Sequence, residues 1–175
     1  MNLKPNLRGS AAILAVCFLA FVYSGVYNVA ADVPHVPVVK RTLETVREQS
    51  IARRTDKIEV PADLNSPERI GQGAQIYGSM CQVCHLGPGI EATPVHVGLT
   101  PQPPRLNEEA GEYSPQQMFW IVKHGIKMSG MPAWGETHPD KELWNVVAFL
   151  QKLPQLGPQE YQALTQKTSM AYSHQ

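Results

Sequence analysis

The sequence predicts an all-α protein: one small domain of three to four helices, preceded by a single N-terminal transmembrane helix. Three observations lead there. Apolar residues recur at three- and four-residue spacing after Ser66-Pro67, Ser114-Pro115 and Asp140, each a helix-start signature, and no stretch alternates as a strand does. Prolines crowd the stretches between these segments and exclude long regular elements there. Residues 11–31 form an uncharged, mostly apolar run behind Lys4 and Arg8. At 175 residues the chain has room for one compact domain with extensions.

The apolar run comes first. About 21 residues at 1.5 Å each span roughly 31 Å, the thickness of a bilayer core. Tyr23 and Tyr27 would sit at its far interface. Residues 1–32 are therefore expected to form a retained anchor, although Val29-Ala30-Ala31 before Asp32 also resembles the cleavage site of a signal peptide. Either way Lys4 and Arg8 stay cytoplasmic and the rest is exported. Cys17 reads as a membrane-buried small hydrophobe.

Residues 33–63 read as a linker. Its Pro-His-Val-Pro opening cannot be helical throughout. Lys40–Arg54 then predicts a short basic helix with Leu43, Val46 and Ile51 as its only apolar positions. It is either a solvated connector or a docking arm. The chain as a whole carries 15 basic and 15 acidic residues, so no global field attracts nucleic acid. The distribution is uneven: residues 40–57 hold six Lys/Arg against three Asp/Glu, residues 58–175 seven against eleven.

Residues 64–155 carry the main domain. Ser66 caps a helix from Pro67 to Met80, with Ile70, Ala74, Tyr77 and Met80 on one side. Residues 86–112 are a proline-rich loop. Ser114-Pro115 opens a second helix to about His124, bearing Met118, Phe119, Ile121 and Val122. A glycine-rich irregular stretch follows, and Asp140 caps a last helix, Lys141–Leu153, with Leu143, Trp144, Val147, Phe149 and Leu150 on its apolar face. Pro154 ends it, and residues 156–175 read as a flexible tail.

Between the first helix and the loop stands Cys81-Gln82-Val83-Cys84-His85, the C-x-x-C-H signature of covalent c-type haem attachment. Two thiols at this spacing add across the two porphyrin vinyls, and the adjacent histidine is left beneath the iron. A zinc site would need a second Cys/His pair, and a thioredoxin-like motif would need a βαβ frame; neither is seen. A low-spin iron that cycles electrons needs a second strong ligand, and a thioether favours the ferrous state. Met131 lies 46 residues after His85, beside the stiffening Pro132, with Met128 as its competitor.

With Gly130-Met131-Pro132-Ala133-Trp134, this plan resembles the class I bacterial monohaem c-type cytochromes, membrane-anchored ones especially, over roughly Ser66–Pro154. The resemblance implies a cytochrome c-like domain wrapped around one covalent haem c, held by Cys81 and Cys84 with His85 and Met131 as iron ligands. It implies that His85 donates to a proline carbonyl, best matched by Pro104 in Pro103-Pro104-Arg105-Leu106. Leu106 would then pack on the haem, Arg105 would reach a propionate, and Trp120 and Trp134 would be pocket aromatics. Gly73 and Tyr77 match the family's close crossing of first and last helices, with Val146 and Phe149 opposite. His96, His124 and His138 read as surface or loop residues. The expected role is electron transfer between redox proteins of a respiratory chain, with no small-molecule substrate. The expected place is a bacterial inner membrane, single-pass, with the haem domain in the periplasm. The alternatives are a haem subunit of a larger membrane oxidoreductase complex and a gas-binding or peroxidatic haem protein.

Overall fold

The computed structural model describes residues 7–166. The chain divides into two units, Met1–Pro34 and His35–Gln175. In the first, helix α1 (Leu7–Ser24) stops where the Ser24 hydroxyl turns back to the Phe21 carbonyl (2.8 Å) and Gly25 takes a φ of 65°. That turn splits the apolar run expected to be continuous to residue 31. Eighteen residues rise only about 27 Å, short of a hydrocarbon core of roughly 30 Å. Among the described residues no helix is long and apolar enough to cross a membrane. The transmembrane helix expected in residues 1–32 is thus not found. The single-pass inner-membrane localisation that rested on it falls with it.

The second unit begins with α2 (Pro37–Thr55), started by Pro37 in its first turn. Of the three apolar positions expected to anchor it only Ile51 is buried, while Leu43 and Val46 stay exposed. Ile51 is enough to seat the helix, and Glu48 adds a 2.8 Å hydrogen bond from the Tyr113 hydroxyl. The segment read as a linker therefore packs within the same unit as the C-x-x-C-H stretch.

Helix α3 (Pro67–Ile76) has Ser66 accepting from the Arg69 amide, Pro67 at its first position and Glu68 in its first turn. It does not run straight on to Met80. Residues Tyr77–Cys81 form a π-turn in which the Gln82 amide reaches back five residues to the Tyr77 carbonyl. The short helix α4 (Gln82–His85) follows and ends at Leu86, whose φ of 58° turns the chain away.

The loop expected over residues 86–112 contains two short helices, α5 (Pro94–Gly98) and α6 (Leu106–Glu109). Thr93-Pro94 repeats the cap-plus-proline signature of Ser66-Pro67: Thr93 Oγ1 accepts from the His96 amide (3.0 Å). A proline at the first helical position starts a helix and does not break it. Helix α7 (Pro115–His124) is closed by a capping box between Ser114 and Gln117. In α8 (Asp140–Lys152) the cap position falls on Pro139, so Asp140 acts as a first-turn acid facing the dipole. Helix α9 (Pro158–Thr165) lies in the stretch read as a flexible tail, and its Tyr161 is fully buried. Met170 and the rest of that tail lie outside the described residues.

The core gathers where α3 and α8 cross. A Cβ on Gly73 would collide with the Asn145 carbonyl and press on Phe149, so only glycine allows this approach. The Tyr77 and Phe149 rings meet at 5.2 Å, and Tyr161 stands edge-on to Tyr77 at 6.3 Å. On the other side of α8, Trp144 stacks on Phe119 of α7 at 4.2 Å.

Candidate functional site

Cys81 closes the π-turn, and Cys84 and His85 lie on α4, so one continuous helical stretch presents all three. Both thiols are free. Burial pushes the Cys81 thiol up to about 12, with Cys84 adding to the shift, so the apoprotein keeps it protonated. The Tyr77 hydroxyl donates to the Leu86 carbonyl (2.9 Å) and Tyr161 donates to Gln82 Oε1 (2.7 Å), which fixes this stretch from beneath.

His85 Nδ1 lies 3.0 Å from the Pro104 carbonyl oxygen. A carbonyl only accepts, so Nδ1 carries the proton and Nε2 keeps its lone pair. Burial lowers the ring's pKa more than the Pro104 carbonyl raises it, which favours neutral imidazole, the form that binds metals. Arg105 precedes α6, and Leu106, its first residue, packs against the core.

Met131 is partly buried against the same core. Its loop is closed on itself: Met131 N–H donates to Ser129 Oγ (3.2 Å), Ser129 N–H to the Ile126 carbonyl (3.2 Å) and Ile126 N–H to the Met131 carbonyl (3.3 Å). Gly125, at a φ of 64°, leaves no room for a Cβ beneath the Met131 carbonyl. Met128 is 79% exposed, so of the two methionines of this loop Met131 is the one turned to the core. Trp134 and Cys81 line one cavity together with Met80, Val122 and Val146. Trp120 is not on its wall; it is half-buried and lies against His124 at 5.0 Å. His124 is exposed, and Nδ1 of the half-buried His138 lies 2.8 Å from the Thr137 hydroxyl.

His96 departs from its surface reading. It is 3% exposed and its Nδ1 lies 2.7 Å from the Cys84 carbonyl oxygen. A single histidine in a proline-rich stretch gives no periodic signal. The one trace was Thr93-Pro94, which marks a helix start three residues before it.

The donor set fits a covalently attached haem: two unpaired thiols three positions apart, a neutral imidazole with one ring nitrogen occupied, and a thioether on a closed loop. Residues 68–150 match the family model described as cytochrome c oxidase, cbb3-type, subunit III. This segment is a monohaem c-type cytochrome domain. Haem c is bound covalently, with Cys81 and Cys84 in the C-x-x-C-H stretch, and haem-based electron transfer is the function of such a domain. A curated relative, photosystem II extrinsic protein V of Cyanophora paradoxa, is 29% identical over 166 residues, covering 87% of this chain and 91% of the relative. No solved structure matches the chain significantly.

Proposed function

We propose that this cytochrome is an electron carrier whose haem is attached through Cys81 and Cys84 and whose iron is ligated by His85 and Met131. When bound, the haem iron supplies the one-electron ferric/ferrous couple. The observation that carries the reading is the 3.0 Å approach of His85 Nδ1 to the Pro104 carbonyl, which fixes the tautomer and leaves Nε2 for iron. Met131, stiffened by Pro132, would supply the second iron ligand, and a thioether favours the ferrous state. Leu106 and Trp134 would exclude water, Trp120 would flank the pocket, and Arg105 would pair with a propionate. No substrate bond is made or broken, and the partners are redox proteins of a respiratory chain. A second reading, a haem subunit of a larger complex, is favoured by the two similarities, one to an oxidase subunit and the other to an extrinsic photosystem protein.

The test is spectroscopic. Ferrous holoprotein is expected to bind no appreciable carbon monoxide at neutral pH. Met131→Ala is expected to lower the reduction potential and remove the weak far-red absorption of sulfur-ligated ferric haem, and Met128→Ala to leave both unchanged. The opposite pair of results would move the ligand role to Met128, and rapid carbon monoxide binding by wild type would replace the carrier by a gas-binding protein. Purification in mild detergent separates the two carrier readings: a stoichiometric partner supports the subunit, an isolated chain the free carrier.

A further inference from the structure

The attachment helix α4 is only four residues long, so its last carbonyls have no next turn to receive them. The chain leaves at Leu86. The residue that would donate to the Cys84 carbonyl in a continuing helix is Pro88, which has no N–H. Two side chains take over, one from the cap of α5 and one from within it. Thr93 Oγ1 donates to the Val83 carbonyl, and His96 Nδ1 donates to the Cys84 carbonyl at 2.7 Å. The histidine is 3% exposed, so no bulk water replaces it. The residue just beyond α5, Leu99, reaches the other side of the site. Its Cδ2 stands 2.7 Å from where a Cβ on Gly130 would be, against the residue preceding Met131.

Resting on the reading of His85 and Met131 as iron ligands, we propose that His96 is a positioning residue for the haem iron. It closes α4 through the Cys84 carbonyl and anchors the α5 strap whose Leu99 braces the Met131 loop. The strap runs from the attachment side to the thioether side, so loosening either end frees Met131 to leave the iron. The functional consequence is restraint of the sixth position against outside ligands.

The experiment measures carbon monoxide binding to ferrous holoprotein, the far-red ferric band and the reduction potential in wild type, His96→Ala, His96→Asn and Leu99→Ala. His96→Ala is expected to bind carbon monoxide about tenfold faster than the slow residual uptake of wild type, the order of effect of one lost buried hydrogen bond, with a weakened far-red band and a shifted potential. His96→Asn, which keeps a donor, is expected to restore most of the wild-type values. Leu99→Ala, which leaves the carbonyl cap intact, is expected to reproduce the faster binding. Wild-type rates and band in both alanine variants would overturn the proposal. If His96→Ala does not mature, Leu99→Ala decides alone, a faster rate supporting the strap and a wild-type rate overturning it. A wild-type protein without the far-red band marks failure of the ligand reading instead.

Discussion

Tyr77 does three things with one side chain. It fills the centre of the core, meets Phe149 in a tilted ring contact, and sends its hydroxyl to the Leu86 carbonyl at the point where the chain leaves the attachment helix. Tyr77→Phe keeps the ring but strands a buried carbonyl. It is expected to cost about 1–3 kcal/mol, read as a lower denaturation midpoint at unchanged m-value, with the haem still attached. An unchanged midpoint would show that the Leu86 carbonyl finds another donor. At this scale the site divides by how its chemistry is written. Cys81, Cys84 and His85 are readable because attachment demands their spacing, and Met131 because glycine and proline flank it. His96 and Asn145 are not. Asn145 is buried, takes a hydrogen bond from Arg69 (2.9 Å) and gives one to Gln72 (2.7 Å), partners 76 and 73 residues away. No local pattern announces a polar side chain whose partners are that distant.

The elements divide in the same way. Helices α3, α7 and α8 announce themselves through Ser-Pro or acidic starts and several apolar positions per turn. α9 is silent because its eight residues bury one large side chain, and the thin apolar stripe of α2 predicts a short helix but leaves its role open between connector and docking arm. A single residue in the right place still seats a helix. Tyr161 covers Gly87, where an added Cβ would stand 2.5 Å from its ring, and Pro158 covers Gly89 in the same turn. Ending the chain at Gly157 uncovers that turn and removes a core aromatic. The expected loss is about 3–5 kcal/mol, the range of an aromatic-to-alanine deletion in a core, measured by denaturant unfolding of the holoprotein. A truncated protein as stable as the full chain would make α9 an accessory. The π-turn that ends at Cys81 is equally silent, because an extra residue inside a helix leaves the apolar spacing around it almost unchanged.

For the molecule as a whole, the buried phenols set an alkaline limit. Burial raises the pKa of Tyr77 and Tyr161 well above the ordinary value of 10.0. In the unfolded chain both ionise near pH 10; in the folded protein they do not. Above pH 10 the unfolded state therefore binds fewer protons, and stability present below pH 10 is lost as pH rises toward the folded values. With each phenol contributing about 1.4 kcal/mol per pH unit once ionised, unfolding free energy is expected to drop by about 2 kcal/mol between pH 10 and 11. Tyr77→Phe should roughly halve that slope. A slope equal to wild type would place the sensitivity elsewhere.

The crossing at Gly73 also orders events in time. Arg69 and Gln72 meet Asn145 across 76 and 73 residues, so docking α8 on α3 closes a loop that contains every residue of the haem site. Such closure carries an entropic cost of roughly (3/2)RT ln n, about 4 kcal/mol for a loop of this length, before any contact repays it. The stretch bearing Cys81 is made before its partner helix, and a ten-residue α3 has no face to pack against until α8 arrives. Until Asn145 arrives, the Gly73 face of α3 is bare, and the two thiols sit at the edge of a half-built core.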